Sequence, residues 1–158
     1  MFRRIFITTS WLLLLFVLVY TAFAKLLNFN HYKRSMYSQP LAEWLVDWLI
    51  FLIPFTELIA ATLLILSVKR FLGLVLTSSL MLLFTGYVLF IRFTAWEDTT
   101  CPCGGLFSQL NWVQHTWVNS ALTILAITTT ILYTKTFPGH GKWRNADAST
   151  KPSRQNQN

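Results

Sequence analysis

FLGLVLTSSLMLLFTGYVLFI, residues 71–91, runs for 21 residues without a charge. At 1.5 Å of rise per residue, a helix of that length crosses the roughly 30 Å hydrocarbon core of a bilayer. Three other stretches repeat the pattern. Residues 5–24 carry no charge, residues 48–67 carry only Glu57, and residues 117–133, extended back toward Val113, make a fourth and shorter span at 113–133. Between the second and third spans lies only Val68-Lys69-Arg70, so those two helices must be antiparallel neighbours. The fold class expected is all-α: a polytopic membrane protein built as a four-transmembrane-helix bundle. Composition agrees, with 12% charged residues against about 25% in soluble domains.

The domain organisation follows. Residues 1–135 form the membrane domain. Residues 136–158, with Pro138, Gly139, Gly141 and a terminal Arg-Gln-Asn-Gln-Asn, hold too few apolar side chains to pack and read as a disordered cytoplasmic tail. Residues 25–47 make one long connection, in which Pro40 and the following Leu41-Ala42-Glu43-Trp44-Leu45-Val46 predict a short interfacial helix leading into the second span. Residues 92–116 make the other. Arg3-Arg4, an apolar stretch and Ala22-Phe23-Ala24 also resemble a cleavable signal peptide. The apolar run is long for that purpose, and its removal would leave three spans, so retention is expected.

A net charge of +7 would suggest nucleic acid in a soluble protein, but here the charges sort by membrane side. Arg3, Arg4, Lys69, Arg70, Lys135, Lys142, Arg144, Lys151 and Arg154 fall on one side of the four-span arrangement. Lys25, Lys33, Arg34 and Arg92 fall on the other, balanced by Glu43, Asp47, Glu97 and Asp98. The positive-inside rule therefore predicts cytoplasmic N- and C-termini, and argues against nucleic-acid binding. The two long connections would face outward, to the periplasm if the membrane is a bacterial inner membrane. Trp44, Trp48, Trp96, Trp112 and Trp117 lie near the expected outer boundary, as interfacial anchors do.

The only two cysteines stand in the outward connection, as Cys101-Pro102-Cys103-Gly104-Gly105. A disulfide across one residue is a poor staple, because closing so short a loop gives only about 1.6 kcal/mol before strain is subtracted. Strain also makes such a bond easier to reduce. Thiol–disulfide exchange on the oxidising side of the membrane is the leading reading. Cu(I) binding by Cys101, Cys103 and His115 is an alternative, since thiolates suit soft metals. A structural bridge is a third.

Other side chains join the pair as candidates. Trp112, His115 and Asn119 are spaced to line one face of a helix, for which Asn111 is a suitable N-cap. An imidazolium and a helix N-terminus near the cysteines would both favour thiolate; the alternative for His115 is a place in the wet headgroup layer. Glu57 lies roughly 13 Å along its span from Trp48. A carboxylate at that depth costs about 2.5 kcal/mol or more unless it faces the bundle interior and finds a partner. Lys25, Arg92 and His115 are the available partners, and Pro54, one turn earlier, opens the helical hydrogen bonding nearby. A structural Lys25–Glu57 pair and a proton-handling role both remain open. Gly73 and Gly86 read as helix-packing positions.

Taken together, a first span ending at Ala24-Lys25, Pro54-Phe55-Thr56-Glu57 in the second, and Cys101-Pro102-Cys103-Gly104 followed by Trp112, His115 and Asn119 resemble the MauE/DoxX family. The resemblance covers about residues 5–133. It implies a small four-helix inner-membrane protein with a redox-associated role in the periplasm. For its methylamine-utilisation members it implies maturation of methylamine dehydrogenase, a disulfide-rich client. Carried onto this chain, Cys101 and Cys103 become the redox pair, with Glu57 and Lys25 as the conspicuous polar positions of the bundle. The chain departs from the pattern in having Gly104-Gly105 where many members place an aromatic, and Ala24 in place of glycine. Partners implied are the lipid bilayer and a periplasmic thioredoxin-like protein or client enzyme. A membrane quinone is the expected electron acceptor, because two cysteines supply no second relay pair. An accessory or chaperone subunit without redox chemistry is the rival from another class.

Overall fold

A computed structural model describes residues 2–93 and 112–137. Among these residues the chain is helical apart from short turns: α1 Phe2–Leu27, α2 Phe29–Tyr37, α3 Glu43–Ile65, α4 Arg70–Phe93 and α5 Trp112–Thr136. Four of the five are long and apolar enough to cross a membrane. The expected cysteine loop and polar tail fall outside the described residues, as do Asn111, Trp96 and the side chain of Trp112.

The long helices close a ring. α1 packs on α3 and α5, and α4 packs on the same two. The core along the axis is aliphatic, with Leu14, Leu18, Leu64, Leu74 and Ala126 buried in one cluster. Outward, Phe16, Trp48, Phe51, Phe55, Leu83 and Trp117 are each more than half exposed, the inverse of a soluble bundle and the surface that lipid contact requires. The protein is therefore multi-pass, in contact with the bilayer.

One end of the bundle is basic. Arg3 donates to the Leu132 carbonyl at 3.2 Å and Arg4 stacks over the Phe137 ring, joining the two chain ends of the bundle. Arg70 donates to the Leu64 carbonyl at 3.0 Å and lies 4.3 Å from the Trp11 ring centroid, which fastens the α3–α4 turn onto α1. α4 and α5 are joined along their length by hydroxyls: Ser78 to Thr130 at 2.9 Å, Thr85 to Thr123 at 2.7 Å, and Thr123 to the Met81 carbonyl at 3.1 Å.

The first long connection differs from expectation. Its helix is α2, residues Phe29–Tyr37, ahead of Pro40, whereas Glu43 to Val46 belong to α3 itself. Glu43 provides a first-turn acid for α3, where the helix dipole favours negative charge, so the helix begins five residues before the expected span. α2 buries Tyr32 and Met36 against Val46 and Ile50 of α3. The Tyr37 hydroxyl donates to the Asp47 carboxylate, and that hydrogen bond holds the phenol above its usual range. Lys25, expected at the start of the connection, is instead within the last turn of α1 and buried.

Candidate functional site

Lys25 and Glu57 meet inside the bundle. The Lys25 ammonium donates to both carboxylate oxygens, at 2.7 Å to Oε1 and 3.0 Å to Oε2, and reaches the Thr21 carbonyl at 3.5 Å. Both side chains are almost wholly buried, at 4% and 2% exposure, so neither charge is left to the lipid. The geometry has a local origin. Side chains on a helix lean toward its N-terminus, so Lys25, near the end of α1, sends its ammonium back toward the bilayer interior. Glu57 comes from the mid-length of α3, one turn after the buried Pro54. With no N–H at Pro54, the carbonyl one turn earlier loses its helical partner.

Around the pair lies a cavity of about 420 Å³, within the 300–1,000 Å³ usual for small-molecule sites. Its polar wall contains Lys25, Glu57, His115, Asn119, Tyr87, Thr21 and Thr56; the rest is aliphatic and aromatic, Leu49, Met81, Phe84 and Val88 among it. The Lys25 ammonium sits 5.9 Å from the Phe84 ring centroid. Of the three partners foreseen for Glu57, Lys25 forms the contact. Arg92 lies in the last turn of α4 and does not line the cavity. His115, on the first turn of α5, is 1% exposed and lines the cavity. The spacing that put His115 and Asn119 on one helix face is what turns both toward this space.

Three lining residues that shape one end of the cavity were not foreseen. Tyr87 on α4 donates to the Gln39 side-chain carbonyl at 2.5 Å, and Met36 and Leu41 come over the same space from the α2 side. A tyrosine inside a charge-free span was the available signal, because a buried phenol calls for a hydrogen-bond partner.

The site can hold a small amphiphile, and it brings a carboxylate, an ammonium and an imidazole to an apolar space without water-facing charge. Among the described residues, no group of three His, Cys, Asp or Glu side chains converges as a metal site; Cys101 and Cys103 lie outside them. No curated protein and no solved structure matches the chain. Residues 3–132 match the family model described as Methylamine utilisation protein MauE. That stretch takes in all of the polar candidates and the cysteine run, and the chain belongs to the MauE family of accessory membrane proteins of methylamine utilisation.

Proposed function

We propose that this MauE-family protein works in the bacterial inner membrane. Both termini are cytoplasmic, and Cys101 and Cys103 carry out thiol–disulfide exchange during maturation of a periplasmic, methylamine dehydrogenase-like client. Family membership supports the methylamine connection. Arg3, Arg4 and Arg70 at one end of the bundle support the orientation, through the positive-inside rule. One observation carries the chemical part of the reading: Lys25, Glu57, His115 and Asn119 line a single cavity toward the end of the bundle where α4 stops at Phe93 and α5 starts at Trp112. The cysteine-bearing segment is tethered on both sides at that end.

In the proposed reaction a client thiolate attacks one sulfur of the Cys101–Cys103 disulfide and forms a mixed disulfide. A second client thiolate then resolves it. The client gains a disulfide, Cys101 and Cys103 become a dithiol, and two electrons have moved. In this reading His115, on the first turn of α5, exchanges the accompanying proton. A periplasmic thioredoxin-like protein can stand between the two partners without altering this balance.

Two experiments test the reading. Cys101→Ser and Cys103→Ser are each expected to accumulate in the membrane at the wild-type level, while client disulfides fail to form and growth on methylamine is lost. Unchanged client disulfides and growth would overturn thiol exchange in favour of an accessory role without redox chemistry. In intact cells, a membrane-impermeant maleimide is expected to label the wild type only after reduction. Labelling without reduction would mean free outward thiols.

A further inference from the structure

The cavity is not sealed. Leu52 of α3 and Leu83 of α4 both line it and are also 53% and 70% exposed on the outside of the bundle. It therefore reaches the surface sideways, between α3 and α4, at mid-helix and so at the depth of the lipid tails. Among the described residues, Met36 and Leu41 line it from the α2 side, and the Tyr87–Gln39 hydrogen bond ties the segment after α2 to α4. A ligand that enters by this route comes from the membrane.

The polar wall restricts its chemistry. Lys25 is already matched by both oxygens of Glu57, so the site has no spare charge for a phosphate or carboxylate head, and an unmatched charge at this depth is costly. The Asn119 side-chain amide has no hydrogen bond among the described residues and faces the cavity, where it can donate to a carbonyl. The occupant that suits a neutral, carbonyl-bearing head, a ring-sized apolar space and a lateral exit for a long tail is a membrane quinone.

We propose that this cavity is a quinone site entered from the bilayer between Leu52 and Leu83, with the head held at Asn119. The assignment rests on the thiol-exchange reading for its purpose. Reoxidation of the Cys101–Cys103 dithiol to the disulfide releases two electrons and two protons, which convert one quinone to one quinol.

Binding is measured on the full chain in lipid nanodiscs, with decylubiquinone as competitor against a photoreactive short-chain quinone. Saturable, competed labelling mapped to α3 and α4 is expected, and it should persist in the Cys101→Ser/Cys103→Ser double variant. Leu83→Trp should abolish it, while Leu82→Trp, on the same exposed helix surface but outside the cavity lining, should not. Asn119→Leu should weaken it by about tenfold, the effect of one lost hydrogen bond. Equal labelling of the Leu83→Trp variant, or no saturable labelling of the wild type, overturns the proposal. So does a phospholipid in place of quinone in the purified protein's cavity. A wild type that binds no quinone while its cysteines still serve the client removes the quinone site and leaves thiol exchange standing. Quinone binding alongside dispensable cysteines does the reverse.

Discussion

Lys25→Met is expected to lower the melting temperature of the purified protein by roughly 10 °C, from a loss of about 3–5 kcal/mol. The substitution leaves the Glu57 side chain, 2% exposed, with its ammonium partner gone, in a helix of the membrane-spanning bundle. Glu57→Leu should have a similar effect by stranding the ammonium. The double variant Lys25→Met/Glu57→Leu should recover most of the lost stability, because a matched apolar pair leaves nothing uncompensated. Thermal unfolding followed by size exclusion in detergent would check all three. Single variants as stable as the wild type would mean that the pair does not hold the bundle. Growth on methylamine then separates the two roles left open for these residues. A stable double variant that supports growth is a structural pair replaced, whereas a stable one that does not assigns the pair a part in proton handling.

The spans were legible because bilayer thickness imposes a length that few other environments demand, and residues 71–91 meet it without a charge. The Lys25–Glu57 pair was legible only as one of three options. Counting along α3 gives the depth of Glu57, but which partner reaches it depends on the side-by-side placement of α1 and α3, and no local pattern encodes that. His115 and Asn119 were legible as a shared face through their four-residue spacing, but not as part of a cavity, which needs four helices and α2 together. α2 itself escaped because a nine-residue helix has too few turns for its buried Tyr32 and Met36 to establish a periodicity. The contact between Tyr87 and Gln39 joins residues 48 apart, beyond any local pattern.

The two glycines of α4 should behave in opposite ways. A Cβ at Gly73 would lie 2.7 Å from the Leu64 amide nitrogen and 2.8 Å from the Leu63 carbonyl carbon. Both are backbone atoms of the facing helix, so α3 and α4 would have to separate next to their short connecting turn. Gly73→Ala is expected to cost about 1–3 kcal/mol, and Gly73→Leu to prevent accumulation of folded protein in the membrane. At Gly86 nothing lies within 4 Å of the added carbon, so the expected packing role is absent there. Gly86→Ala should be neutral or stabilise by about 0.5–1 kcal/mol through helix propensity. Membrane accumulation and melting temperature of the three variants would check this. A tolerated Gly73→Leu would show that α3 and α4 do not approach as closely as described.

The hydroxyl seam between α4 and α5 bears on how the protein is made. α5 is the least apolar of the four spans, and Thr123 and Thr130 make interhelical bonds to α4 while also bonding back to α5's own carbonyls. Synthesised after α4, it reaches a membrane where Ser78 and Thr85 are already in place. Its insertion and its docking are thereby expected to be linked, with α5 the clasp that closes the four-helix ring.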